Sequence, residues 1–454
     1  MRVLAIGLGG SGSRIVDDLY DHDRRSGVGC MQPIAIDTDA NTLMALRHIP
    51  VSARLHFAPL DLAQSSDVCQ TIRSGEIMSY IQGADTVRID ALLLCCGLGG
   101  CMGDAVGAIV PELRKSFIEP IFMVVTLPCR MEGEKRSAKA ADDLDLMEKI
   151  VDGIILFDNE TWYRKIKDRL MVQQEKEGTR RDTSPHMMFD LLNNEIARRV
   201  GLLLRAGEIN EKSYEPAEVV LDAGEVLNTL RGMGFVAIGY ASEEIPSTFL
   251  GFLNRVQLNR YFMESSQKKA ARIVALAKKA VYDEISIPCD ITSAEKALVL
   301  IAGPSHELSM RGFQTVRMWI DRSIAGLEMR SGDYPIKNTK HVGIVIALSG
   351  LKNIPRVEEL RQIRAQYQKR EDNLPSTVPV PPVGQLPPSA QQNQEKGPEN
   401  PAAPLSATDP VSKFPSRDPV TPDPPSPGVD PPPSSASSIK PKRKSGGEGS
   451  NRRR

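Results

Sequence analysis

Unbroken apolar stretches punctuate the first third of the chain: RVLAI at 2–6, PIAID at 33–37, ALLLCC at 91–96, IFMVVTL at 121–127 and VDGIILF at 151–157. A strand with one wet face alternates apolar and polar residues. Unbroken runs of this length instead predict strands buried on both faces, as in a parallel sheet. Helical stretches separate them, the first being RIVDDLYDH after GLGGSGS. That order predicts an open α/β sheet whose ligand loops lie at the carboxyl ends of the strands.

The next pattern is helical. Met188, Leu192, Ile196, Val200 and Leu203 recur at helical spacing, predicting a helix over 187–206 with Gly207 as its stop. Beyond it come GFVAIGYA (234–241), a lysine-rich helix near 255–283, KALVLIAG (296–303), a helix near 311–325 and HVGIVIALSG (341–350). These do not follow a strict strand–helix alternation and predict a smaller α+β domain packed on the long helix. The expected organisation is therefore an α/β domain over 1–186, a central helix over 187–207, an α+β domain over 208–370 and a tail over 371–454.

Composition changes the picture at that tail. It holds 20 of the 33 prolines and no apolar period, which predicts disorder. Its end, KPKRKSGGEGSNRRR, carries seven basic residues against one acid. That end reads either as a solubilising tail or as a contact for anionic lipid, nucleic acid or an acidic partner. Over the whole chain 57 basic residues balance 57 acidic ones, which argues against a general nucleic-acid binder. The seven cysteines match no zinc spacing, no signal peptide opens the chain, and no apolar run is long enough to cross a bilayer. A cytoplasmic place with reduced thiols is the expectation.

Two glycine-rich loops carry the candidate chemistry. AIGLGGSGSR fits G-x-G-x-x-G at Gly7, Gly9 and Gly12, directly after a strand, and the second strand ends at Asp37. Alone, that is a dinucleotide fingerprint, in which bare backbone approaches a pyrophosphate at a helix N-terminus. It leaves an NAD-binding domain open, and also a ligand-free tight turn. The second loop, GLGGCMGDA at 97–105, follows another buried strand. Two loops of backbone N–H groups suit a triphosphate clasped from both sides better than a hydride carrier. There is no G-x-x-x-x-G-K-[ST], so a P-loop enzyme is excluded.

The ordered set of motifs resembles the tubulin/FtsZ superfamily, and most closely the archaeal CetZ group. GLGGSGSR resembles the first phosphate loop and GLGGCMGDA the tubulin signature G-G-G-T-G-[ST]-G. LPCRMEGEKR resembles the ribose loop, FDNETW the base-side loop, NNEIARR the central helix and LDAGEVLNTLRGMGF the assembly-coupled catalytic loop. The resemblance implies a tubulin/FtsZ-like α/β fold, with a Rossmann-type GTP-binding domain joined by a central helix to a smaller α+β domain. It implies GTP or GDP as ligand, with Mg²⁺ accompanying GTP. Gly9, Gly10, Ser11, Gly12, Ser13 and Arg14 would wrap phosphates, together with Gly99, Gly100, Cys101, Met102 and Gly103 of the second loop. Glu132 would bind ribose hydroxyls with Arg136 beside it, and Asn159 and Asn193 would read guanine, whose mixed edge suits an amide. Asp222 and Glu225 stand in a D-x-x-E arrangement. In the family, such acids complete the site of the next subunit, where a carboxylate orients the attacking water.

Three departures bear on turnover. In the signature, Cys101 replaces a glycine, Met102 the threonine and Ala105 the last glycine. The lost hydroxyl removes a hydrogen bond to a charged group, typically about 1.5–3 kcal/mol. Asp104 facing a terminal phosphate about 4 Å away would be repelled by roughly 4 kcal/mol at an effective dielectric near 20. Otherwise it acts through Mg²⁺ or caps the following helix. The stretch HFAPLDLAQSSD holds none of the glycines that sense the γ-phosphate in the family. The expectation is a cytoskeletal GTP-binding protein involved in cell shape. It polymerises head to tail with itself, hydrolyses GTP slowly and only on assembly, and uses its basic tail toward a membrane or adaptor, with no specific nucleic acid. The alternatives are a non-hydrolysing scaffold with a degenerate site and an NAD-dependent enzyme.

Overall fold

The computed structural model describes residues 1–57, 74–82, 89–177, 184–206, 208, 217–232, 234–245, 258–337 and 339–372. The glycine-free stretch after Phe57, Gly207 and the tail beyond Asp372 lie outside the described residues.

Strand and helix alternate through the first half. β1 (Val3–Leu8) leads into α1 (Gly9–Ser26), β2 (Met31–Asp37), α2 (Ala40–Met44), β3 (Arg54–His56), α3 (Ser74–Gln82), β4 (Ala91–Gly97), α4 (Met102–Ser116), β5 (Ile121–Leu127), α5 (Glu134–Ile150), β6 (Gly153–Asp158) and α6 (Asn159–Glu177). β1, β5 and β6 are buried at every position, as their unbroken apolar runs require. α1 begins at Gly9, inside the glycine loop and earlier than the sequence pattern suggests. Close packing favours this start. A side chain at Gly12 would put its Cβ 2.0 Å from the Cys95 carbonyl oxygen of β4. Gly12 is therefore the point where helix and strand backbones touch. Gly27, at φ 70°, ends α1 in the left-handed conformation that glycine adopts without strain.

The central helix α7 (Pro185–Leu204) opens on a proline, whose missing N–H costs nothing in a first turn. It buries the expected Met188, Leu192, Ile196, Val200 and Leu203, and packs along α1. After it come α8 (Ala223–Leu230), β7 (Phe235–Glu244), α9 (Leu258–Lys278), β8 (Lys296–Gly303), α10 (Met310–Ser323), β9 (Glu328–Pro335), β10 (His341–Leu351) and α11 (Pro355–Asp372). α9 runs into one π-helical turn over Lys279–Asp283.

All ten strands join in one sheet of order β3-β2-β1-β4-β5-β6-β7-β10-β8-β9. The first six strands are parallel. β10 runs antiparallel between β7 and β8, while β8 and β9 are parallel. The two halves meet at β6 and β7 through only Ile154↔Phe235 and Ile155↔Val236. α5 is covered by α11, whose arginines Arg361 and Arg364 pair with Asp145 at 3.2 and 2.6 Å.

Candidate functional site

β1 and β4 are neighbours in the sheet, with Leu8 beside Cys96 at their carboxyl ends. Both glycine loops therefore emerge side by side. Each opens a helix whose N-cap residue, Leu8 for α1 and Cys101 for α4, makes no side-chain capping bond. The leading amides of both helices are thus left for another acceptor, and their dipoles add. The loops bound one cavity of about 340 Å³. Its wall includes Gly9, Gly10, Ser11 and Arg14 from the first loop and Gly100, Cys101 and Met102 from the second.

Met102 does not close this space. It is buried and turned back against the first loop, where its Cγ lies 2.8 Å from the position a Cβ would take on Gly9. Gly9, at φ 70°, has no Cβ and admits the thioether. Cys101 is exposed. Asp104 does not line the cavity. Its Oδ1 accepts from Lys139 Nζ at 2.7 Å, and Lys139 bridges on to Asp143 at 2.9 Å. Burial works to lower the Lys139 pKa, but its bonds to the two carboxylates outweigh burial and hold it above the ordinary value. Asp143 is buried and accepts from the Gly99 amide at 2.8 Å, so this network grips the second loop from behind.

Four of the predicted residues stand behind the wall. Gly12 packs on β4, and Ser13 is buried with its hydroxyl donating to the Gly7 carbonyl at 3.4 Å. At Gly99, φ is 76° and a Cβ would lie 2.4 Å from the Arg136 carbonyl oxygen; at Gly103 it would lie 2.5 Å from the Asp143 carboxylate. Their glycines serve packing that shapes the loops.

The cavity is also lined by Glu132, Arg136, Asn159 and Asn193. Glu132 accepts from the Cys129 amide at 2.7 Å and from Arg136 at 2.6 Å, which fixes both side chains. Asn159 is the first residue of α6, behind Asp158, which accepts from the Thr161 amide at 3.2 Å. Asn159 is 7% exposed, and its Oδ1 is buried without a hydrogen-bond partner. A buried amide oxygen left this way costs on the order of 1–3 kcal/mol unless a ligand or water satisfies it. Arg14, among the described residues, likewise makes no hydrogen bond or ion pair.

The cavity also holds Asp37, the end of the dinucleotide fingerprint, and three residues that the motifs did not single out. Thr126, the penultimate residue of β5, has its hydroxyl 3.4 Å from that of Ser11. Asp37 and Thr42 line the first-loop side; a Cβ on Gly10 would lie 3.3 Å from Thr42 and 3.9 Å from Asp37 Oδ2. Burial raises the Asp37 pKa, against the lowering effect of bonds from the Asp39 and Thr38 amides. Phe189 lies one turn before Asn193 on α7, and that i, i+4 aromatic–amide pair was the available signal for it.

Asp222 and Glu225 do not reach this cavity. They form a reciprocal capping box at the head of α8: Asp222 Oδ1 accepts from the Glu225 amide at 2.7 Å, and Glu225 Oε2 accepts from the Asp222 amide at 3.3 Å. Glu225 also lies 3.9 Å from Arg330.

The strand order β3-β2-β1-β4-β5-β6 is shared with dinucleotide-binding domains. Relatives separate the two. The chain is 33% identical over 380 residues to the tubulin-like protein CetZ3 of Haloferax volcanii, covering 81% of this chain and 93% of that protein. This chain belongs to the tubulin/FtsZ family. The family's GTPase domain matches residues 2–167, and the C-terminal domain of tubulin-like CetZ matches residues 182–366. Among solved structures, GDP-bound monomeric CetZ1 from Haloferax volcanii superposes with a TM-score of 0.65 at 27% identity, over 81% of this chain and all of that one. CetZ2 from the same organism, a GTPγS-bound protofilament, shares the fold at 23% identity and TM-score 0.66, over 82% and 100% of the two chains. The chain is therefore CetZ-like in both halves. Among the described residues no helix is long and apolar enough to cross a membrane.

Proposed function

We propose that this CetZ-like chain binds a guanine nucleotide in the cavity between its two glycine loops. The observation that carries the reading is the convergence of four unsatisfied features on one space. Two uncapped helix N-termini and the unpaired Arg14 offer positive charge for phosphates. The orphaned Oδ1 of Asn159 offers an acceptor for a base. Asn193 and Phe189 suit the same base, one by hydrogen bonding and one by stacking on its face. Glu132, oriented by Arg136, suits ribose hydroxyls. A related protein of known structure holds GDP, which fits this arrangement. Mg²⁺ accompanying GTP would be held mostly by phosphate oxygens and water, with Asp37 the buried carboxylate on the first-loop side.

Arg14 and Thr126 answer the missing signature threonine. A guanidinium supplies charge-assisted bonds where Met102 cannot, and the Thr126–Ser11 pair supplies hydroxyls beside it. Affinity is then retained while the terminal-phosphate contacts differ from those the signature usually makes.

Head-to-tail self-assembly follows from the same reading. Asp222 and Glu225 lie outside their own chain's cavity, so any catalytic part they play is in the site of a neighbour. Each already bonds to the other's amide, and neither hydroxyl nor extra glycine remains in the second loop. Both observations favour slow hydrolysis, and they keep a non-hydrolysing scaffold as the second reading. A role in cell shape, and a membrane or adaptor contact through the basic end at 440–454, complete the proposal.

The experiment is mant-GTP binding alongside phosphate release at increasing protein concentration. Saturable binding with release per chain that rises with concentration supports a trans-acting GTPase. Binding without release supports the scaffold. Absence of binding removes the cavity assignment altogether.

A further inference from the structure

Among the described residues, Cys30, Cys95, Cys96 and Cys129 are buried, and Cys289 is part-exposed. Desolvation pushes the thiols of Cys30, Cys96, Cys129 and Cys289 up to about 12, and that of Cys95 higher still. Cys101 differs. It is exposed, it stands at the N-cap of the fifteen-residue helix α4, and it lines the cavity between the two loops. The same cavity contains the 7%-exposed Asn159 with its unpartnered Oδ1, which independently marks it as a place where a ligand sits. The thiol and the ligand therefore share one space of about 340 Å³.

We propose that Cys101 is a modification site at which a low-molecular-weight disulfide and the nucleotide exclude one another; this rests on the nucleotide reading of the cavity. Cys101 as thiolate attacks one sulfur of the reagent. A new S–S bond forms to Cys101, the reagent's own S–S bond breaks, and the departing thiolate takes up the proton that Cys101 released. The adduct stands where phosphates would meet the amides of Cys101 and Met102. A bound nucleotide in turn covers the sulfur. Neither buried neighbour can take over the role, because Cys95 and Cys96 are both fully buried in β4. A glycine at this position would have given the loop the same backbone amide without the reactive group.

The test uses the full chain and glutathione disulfide as the probe. Reduced protein is first titrated with mant-GDP. It is then treated with the disulfide, with and without saturating GDP, and the adduct is mapped by peptide mass spectrometry, which separates Cys101 from Cys69. The expected result is modification at Cys101 that GDP suppresses, loss of mant-GDP binding in the adduct, and recovery with dithiothreitol. Cys101→Ser, whatever its own affinity, should show no change in mant-GDP binding on disulfide treatment. Adduct formation at an equal rate with GDP present, or adduct that binds mant-GDP like reduced protein, overturns the exclusion while leaving the nucleotide reading intact. Reduced protein that binds no mant-GDP overturns both.

Discussion

Arg356 and Asp158 form a buried ion pair, with 3.4 Å between Nε and Oδ1, that joins the head of α11 to the residue preceding Asn159. The same guanidinium donates from Nη2 to the Pro128 carbonyl at 2.7 Å, on the strand exit that leads to Glu132. One side chain from the C-terminal half thus braces both the turn that opens α6 and the loop that carries Glu132. Arg356→Ala should strip Asp158 of its counter-charge, and breaking a buried pair typically costs about 3–5 kcal/mol. Urea unfolding should show that loss, and mant-GDP affinity should fall as the loops loosen. An unchanged unfolding midpoint would deny the pair its structural role.

At Glu225 the observed cap and the proposed catalytic part can be tested separately. Glutamine at this position can still accept from the Asp222 amide and so keeps the capping box, whereas alanine loses it. Glu225→Gln should leave thermal stability near that of the parent and suppress assembly-dependent phosphate release. Glu225→Ala should lower both, the capping loss being about 0.5–2 kcal/mol. Equal phosphate release in parent and Gln variant would confine Glu225 to the cap.

Arg14→Ala should weaken mant-GDP binding with little effect on the melting temperature, since Arg14 has no partner among the described residues. Loss of a hydrogen bond to a charged group, about 1.5–3 kcal/mol, corresponds to roughly ten- to a hundredfold in affinity. Fluorescence titration and thermal denaturation of the same sample measure the two effects. A large drop in melting temperature with affinity preserved would reverse the assignment.

Two groups on α1 oppose each other in acid. Burial lowers the His22 pKa to about 4, aided by Arg205, whose Nη2 lies 2.9 Å from its Nδ1. Unfolded chains protonate near the ordinary 6.5, so between about 6.5 and 4 acidification favours unfolding. Burial, then the charges of Asp17 and Asp190, raise Asp18 from 3.8 to about 6. Its folded form takes up a proton first, so acidification through that window favours the fold. Each effect is at most roughly 3 kcal/mol before solvent screening reduces it. Asp18→Asn should therefore raise stability at pH 7 and deepen the loss between pH 6.5 and 4. His22→Gln should flatten that loss or reverse its slope. Unfolding free energies measured across the window decide the signs.

The strands that build the cavity were legible because they are buried on both faces, so β1, β4, β5 and β6 announced themselves as apolar runs. β9 did not. It is a partly exposed edge strand of sequence EMRSGDYP, held by its pairing with β8 and carrying no apolar period of its own. Helix α11 was equally silent, because arginine–carboxylate pairs with α5, rather than an apolar stripe alone, seat it. Within the site, the glycine loops could be read from motif spacing, and Asn159 came only through the family resemblance of FDNETW. Thr126 and Thr42 could not be read, since each reaches the cavity only through strand and helix placement, and Phe189 carried no signal beyond its i, i+4 spacing to Asn193. The fate of Asp104 was also hidden: its partner Lys139 is 35 residues away on a different helix.

The join between β6 and β7 spans just two residue pairs, although it lies in the middle of a ten-stranded sheet. Beside it, Arg199 lies 4.0 Å over the Trp162 ring and donates to the Glu284 carbonyl at 3.0 Å, lashing α6 and α7 to the C-terminal half. A load pulling the halves of the sheet apart would meet longer ladders on either side of this narrow weld, six pairs between β5 and β6 and nine between β7 and β10. Mechanical compliance is therefore concentrated there, and the side-chain lashing around Trp162 sets how far the molecule gives before it tears.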